Sequence, residues 1–172
     1  SLSNAIGELA DIDRLRVGAV PLPQIEHVLT NAKSGIEKID QAQLKPACLF
    51  VTGLRYDSEV PHAQAARQIA RLAQLQIYHG MASGDFDEVE RAVRRTLRLS
   101  RDLRPRGVMI IQLVSMAMDA VVATAISDLV LGNKQLSVEQ CDRLLKLLSD
   151  HQSTATDART ESYRMEYVMM RN

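Results

Sequence analysis

Glu59 and His62 stand three residues apart, the spacing at which one helical turn presents a carboxylate and an imidazole to a metal, as in di-iron helix bundles. Such a centre uses the motif twice and adds two further carboxylates. The chain has no second Glu-x-x-His, and Pro61 interrupts this copy, so no metal site is expected. His27, His79 and His151 have no sequence-local nucleophile or ligand beside them, and there is no HExxH, GxSxG, Walker loop or GxGxxG. No catalytic residue and no cofactor follow from these patterns. The expectation is a protein that is not an enzyme.

A second chemistry is anion binding. Arg91, Arg94, Arg95, Arg98 and Arg101 recur at three- and four-residue spacing and share one helical face, with Arg104 and Arg106 in the turn that follows. Guanidinium forks match phosphate oxygens, so the row could hold a phosphate or a lipid surface. Glu88, Glu90 and Asp102 lie nearby, and no aromatic residue is interleaved to stack on bases. Nucleic acid is therefore not expected, and the row reads first as a solvated face.

The third chemistry is a groove. Gln64, Arg67, Gln68, Arg71, Gln74 and Tyr78 form a polar stripe on one long helix, and Gln112, Ser115 and Asp119 form another on the next. If the first helices of two hairpins line a concave surface, a partner segment can dock between the stripes. Arg67, Arg71, Gln74, Tyr78, Gln112, Ser115 and Asp119 are the candidate partner-binding residues. Internal pairing, Arg71 with Asp119 for example, is the alternative.

These side chains need helices to position them, and the composition supplies helix formers. Gly and Pro are few, aromatics make up 3% and Trp is absent. Ile6, Leu9, Ile12 and Leu15 share a face of a short first helix that Gly18, Pro21 and Pro23 stop. Pro23 suits the first turn of a second helix running to Leu44, with Gly35 a weak point. Residues 47–52 read as an isolated extended connector. Asp57-Ser58 and Pro61 open a long helix to about Ala82, whose charge-free stretch Leu72 to Tyr78 should be buried.

Ser83-Gly84-Asp85 breaks that pattern, and Asp85 with Glu88 reads as a capping box opening a helix from Phe86 to about Leu103. A three-residue turn makes those two helices antiparallel. After Arg104-Pro105-Arg106-Gly107 comes Val108 to Leu131, which contains no Lys or Arg and is long enough to span a bilayer. Asp119 at its centre and the narrow polar stripe favour a central helix of a bundle instead. Gly132-Asn133 reads as its left-handed end, and Ser137 with Gln140 is a second capping box for a helix to about Asp150. Residues 152–157 read as a polar linker before a last helix rich in Tyr and Met.

From Leu72 to Leu99, the residues Leu75, Tyr78, Gly80, Ala82, Gly84-Asp85-Phe86 and Ala92 resemble one tetratricopeptide repeat. The next hairpin departs from it by a longer loop without Gly-Asp-aromatic. Cys48-Leu49-Phe50, residues 67–72, Gly84-Asp85-Phe86 and residues 97–101 together resemble uncharacterised bacterial helical proteins that often follow an N-terminal membrane anchor. The resemblance implies a helical-repeat domain and a place in the bacterial cell envelope, with the membrane reached only through such an anchor. The start at Ser1 rather than Met fits a piece of a longer chain.

Length bounds the rest. A chain of 172 residues with 46% hydrophobic and 24% charged residues can bury one core, so residues 1–172 are read as one all-helical domain. Within it, 1–57 hold N-terminal helices and a connector, 58–150 two hairpins, and 151–172 a linker and a last helix. A net charge of zero provides no global field for nucleic acid or an anionic membrane. Cys48 and Cys141 stand far apart without a CxxC and read as two buried thiols rather than a disulfide. The expected fold is all-α, antiparallel helical hairpins in a tetratricopeptide-like, irregular solenoid or bundle. The expected role is a non-enzymatic interaction module that binds a protein or peptide segment, or a second copy of itself.

Overall fold

The computed structural model describes residues 20–46, 48, 50, 60–132, 136–155 and 157–171. The first expected helix and most of the 47–59 connector lie outside the described residues, as do Glu59 and the end expected at Asn133. Six helices, and no strand, occur among the described residues: α1 Leu22–Ala42, α2 Pro61–Ser83, α3 Phe86–Leu103, α4 Met109–Gly132, α5 Val138–Thr154 and α6 Ala158–Arg171. The fold is all-α.

Proline and caps set the boundaries. Pro23 and Pro61 occupy first turns, where the missing N–H has no intrahelical partner to lose. Gly84 takes φ 75° at the end of α2, the left-handed geometry that a Cβ disfavours, and reverses the chain within two residues. The Asp85 carboxylate then accepts from Glu88 N at 2.9 Å. Only half of that expected box forms, because the Glu88 side chain turns to His79 Nδ1 at 2.7 Å. At α5 both halves are present, with Gln140 N donating to Ser137 Oγ and Ser137 N to Gln140 Oε1. Gly35 does not split α1.

α2 is the central element and packs against α1, α3 and α4. Its faces serve three apolar clusters. Leu72 and Leu75 meet Val20, Ile25, Val28 and Ala32 of the α1 region. Ala73 and Ile77 meet Phe86, Val89, Ala92, Val93 and Leu97 of α3, with Val122, Ala125, Ile126 and Leu129 of α4 and Leu144 of α5. Ala63, Ala66 and Ala70 meet Leu99 and Leu103 of α3 with Val108, Ile111, Val114 and Met118 at the start of α4. Fully burying one such Leu, Ile or Val contributes roughly 1.5–3 kcal/mol, so these three clusters hold the helices together.

Gly80 shows how close the first hairpin is. A Cβ there would lie 2.8 Å from Asp85 O and 3.0 Å from Val89 Cγ2, so the absence of a side chain lets α3 rest on the α2 backbone. α4 is long and apolar enough to cross a membrane, with a mean hydropathy of 1.9 in its most apolar window. It meets α2, α3 and α6, and 44% of that window is buried. α5 packs on α3, and α6 on α4. Cys48 is exposed and Cys141 half-buried, which corrects their reading as buried thiols.

Candidate functional site between α4, α5 and α6

The site is built from the exit of α3 outward. Arg104 caps α3, and the turn beyond it places Arg106 at φ 58°, a left-handed geometry uncommon outside glycine. That turn is held from two sides. Gln112, in the first turns of α4, donates through Nε2 to Arg104 O at 2.6 Å and Gly107 O at 3.0 Å. From α6, Glu161 accepts from Arg106 N and Glu166 from Met109 N, each at 3.0 Å. Gly107 is needed for this closeness, since a Cβ there would sit 2.8 Å from Gln112 Nε2 and 2.9 Å from Leu103 O.

Two helical turns after Gln112, Asp119 lies on the same face of α4. Its Oδ2 accepts from Arg104 Nη2 and lies 3.1 Å from His151 Nε2, near the end of α5. The Arg104 and His151 side chains are 10% and 11% exposed and that of Asp119 is 26%, so the three form a charged cluster mostly removed from water.

This cluster floors an open cleft of about 720 Å³. Met109, Leu113 and Met116 of α4 and Tyr163 of α6 form its apolar wall, while Asp157, Arg159 and Ser162 contribute polar groups at the start of α6. The four wall residues are between 42% and 63% exposed. Gln112 Oε1, Asp119 Oδ1 and His151 Nδ1 are among the buried polar atoms of the floor with no hydrogen-bond partner among the described residues. An imidazole held by a carboxylate is half of a general-base device. No hydroxyl among the described residues is hydrogen-bonded to it, and the nearby Ser162 Oγ donates to Arg159 O instead.

The residues picked from sequence divide. Gln112 and Asp119 line the cleft. Ser115 does not: it is fully buried, its hydroxyl donates to Gln112 O at 2.9 Å, and its carbonyl accepts from Ser100 Oγ at 3.1 Å. A serine satisfied by helix carbonyls has no need of the groove, which corrects its expected role. Arg67 is exposed on α2, and Arg71, Gln74 and Tyr78 are half-buried there, none of them lining the cleft. The Tyr78 hydroxyl donates to Asp128 Oδ2 at 3.1 Å, and burial, followed by that hydrogen bond and the Asp128 charge, pushes it above the ordinary tyrosine value. Asp119 pairs with Arg104 and His151.

The arginine row does not converge. Arg91 reaches Asp85 at 3.7 Å, and Arg94 pairs with Glu90 one turn back. Arg95 is 6% exposed, its guanidinium holding Asp40 at 2.6 and 2.9 Å and Gln76 Oε1 at 2.8 Å. Arg98 donates to Lys45 O at 2.6 Å and Arg101 to Thr154 Oγ1 at 2.5 Å. Arg95, Arg98 and Arg101 thus tie α3 to α1 and α5, which corrects their reading as a free solvated face. A smaller hollow of about 380 Å³ between α1, α2 and α3 contains His79 with Glu88 at 2.7 Å and Glu26 at 3.9 Å, already paired. No cluster of metal-ligating side chains occurs among the described residues.

Arg104, His151 and Tyr163 were missed as site residues. His151 was hidden by placing the end of α5 at Asp150, whereas the helix continues to Thr154 and Ala155 N still donates to His151 O at 2.9 Å. The shared face of Gln112 and Asp119 was the legible signal. Comparison of the chain with protein-family models, with curated proteins and with solved structures finds no match.

Proposed function

We propose that the chain is a non-enzymatic protein-interaction module and that the cleft between α4 and α6 holds a segment of a partner protein. The observation that carries this reading is the exposed apolar wall of Met109, Leu113, Met116 and Tyr163 standing over a buried polar floor. Methionine-rich walls adapt to varied side chains, and apolar clefts with few polar anchors are the usual form of a binding site.

The order of the helices supports a tetratricopeptide-like reading. Tyr78 near the end of α2 meets Asp128 near the end of α4, so those helices run side by side in the same direction. Arg143 reaches Asp87 at 2.8 Å, and Arg101 reaches Thr154 at the other end, so α3 and α5 do likewise. Two hairpins stacked in register have this order, and their first helices line one surface. The cleft of this chain is bounded by α4, the ends of α3 and α5, and the start of α6.

Selection from a random peptide display library against the full chain tests the reading. Selected peptides should bind the parent and lose at least tenfold in affinity to Leu113→Asp, whose side chain is 55% exposed and whose melting temperature should be unchanged. A concentration-dependent dimer abolished by the same substitution would make the occupant a second copy. Peptides that bind both forms equally, or no selection together with a monomeric chain, would sink the proposal.

A further inference from the structure

Resting on the reading of the cleft as a docking groove, we infer that the segment it holds is α4 of a second copy of this chain, laid antiparallel so that each copy fills the cleft of the other. The observation is a stripe along α4. Met109, Leu113 and Met116, from the wall of the cleft, begin a series spaced alternately by four and three residues. Ala120, Ala123 and Ser127 continue it at the same intervals, and Val130 ends it. That spacing keeps one seam of a helix turned towards a neighbouring helix, as in coiled coils. Every position of the seam is exposed, and none is charged. Met109, Leu113, Met116 and Val130 are between 42% and 55% exposed, so no helix among the described residues covers it.

The order of sizes along the seam identifies the occupant. Large side chains stand in its first half and small ones fill most of its second. A parallel pair of such helices would set Leu113 of one copy against Leu113 of the other and leave a gap along the alanines. An antiparallel pair, related by a two-fold axis beside Ala120, brings Met116 near Ala123 of the second copy and Leu113 near Ser127 of the second copy. The same contacts repeat with the copies exchanged, as a two-fold interface requires. Large side chains facing small ones let the layers interdigitate without voids. A helix face of Ala, Ala and Ser is also slim enough to enter the open cleft of about 720 Å³ bounded by α4 and α6.

Charge and area agree with a second copy. The chain has a net charge of zero, and Asp119, the charged group nearest the axis, is already paired with Arg104. α5 extends the face, since Val138, Leu145 and Gln152 stand seven residues apart and Gln152 lines the cleft. Val138 and Leu145 are exposed. The seam runs from residue 109 to 130, about 33 Å of helix, and with α5 beside it the face is about 20 Å wide, so roughly 600 Å² per copy would be covered. Two copies then bury about 1,200 Å², the lower edge of stable interfaces, so the dimer should be reversible with a dissociation constant on the order of micromolar.

Sedimentation velocity of the full chain over a hundredfold range of concentration should show an equilibrium of monomer and dimer. Ala120→Glu, at an exposed position, should weaken the dimer at least tenfold with an unchanged circular dichroism spectrum. Ala123→Arg carries this arm if that variant does not fold. With Cys48 and Cys141 replaced by Ser, Ala120→Cys should cross-link to itself through a short bis-maleimide. Ser127→Cys should not cross-link to itself, and should do so when mixed with Leu113→Cys.

A chain that stays monomeric at every concentration overturns the inference, and library-selected peptides that still bind it then leave the docking groove standing. Absence of both a dimer and selected peptides sinks the groove as well. A dimer that survives Ala120→Glu or Ala123→Arg overturns the inference by placing the contact elsewhere. So does ready cross-linking of Ser127→Cys to itself, which would make the helices parallel.

Discussion

Replacing Asp119 with Ala should destabilise the protein through the two groups it leaves behind. Arg104 and His151, with side chains 10% and 11% exposed, would lose the carboxylate that faces both. Breaking a buried ion pair from one side costs about 3–5 kcal/mol, whereas an exposed pair contributes at most about 1 kcal/mol. With its own side chain 26% exposed, Asp119 lies between these limits, at about 2 kcal/mol. For a chain of this size that corresponds to a melting temperature lower by about 4–8 °C. Thermal and urea unfolding followed by circular dichroism would measure it. The cause is separable from simple loss of volume, because Asp119→Leu combined with Arg104→Met removes both charges. That double variant should recover at least half of the loss, as well-packed apolar replacements of buried pairs do. A fall of less than about 1 °C for Asp119→Ala, or a double variant no more stable than the single one, would refute the reasoning.

Three further outcomes are expected. Phe86→Ala removes a ring that is 7% exposed in the cluster joining α2, α3 and α4, and should cost about 3–5 kcal/mol in urea unfolding. Gly80→Ala puts a Cβ 2.8 Å from Asp85 O and should destabilise by about 1–3 kcal/mol despite the better helix propensity of alanine, where a stabilising effect would mean that the hairpin can open without cost. Burial pushes the Glu90 carboxyl up, but the hydrogen bonds and charges of Arg94 and Arg143 outweigh it and hold the group below the ordinary glutamate value. A depressed carboxyl contributes stability above its unfolded value, about 4.3, and that contribution is lost as pH falls through the folded value. The stability difference between parent and Glu90→Gln should therefore be widest near neutrality and shrink as the solution is acidified below that range.

The helices were legible because their ends are written in short-range chemistry. Asp85 after Gly84, Ser137 with Gln140, and Pro61 set termini within one or two residues of where α3, α5 and α2 begin. The cleft was legible only in its α4 half. Gln112 and Asp119 share a face at a separation of seven, which sequence spacing reveals, but Arg104 and His151 join them from α3 and α5 through tertiary contacts 15 and 32 residues from Asp119. Ser115 misled for a related reason. Polarity on a helix face does not say whether a hydroxyl meets water or a carbonyl, and here Gln112 O provides the partner. The arginine row misled because regular spacing looks like a surface property, whereas Arg95 is directed inward to Asp40 and Gln76.

α4 joins these strands of the argument. A helix without Lys or Arg would be fully apolar around its circumference if it existed only to fill a core. Instead its inner face supplies Ile111, Val114, Met118, Val122, Ala125 and Leu129 to two clusters, while Met109, Ile110, Leu113 and Met116 stand between 42% and 55% exposed on the outer face of its first half. Buried packing accounts for the inner set and cannot account for the outer one, since nothing in the fold gains from four exposed large apolar side chains on adjacent turns. The polar floor of Arg104, Asp119 and His151 lies beside that outer set. An apolar wall and a buried polar floor placed together on one helix are the features on which the proposed docking site rests.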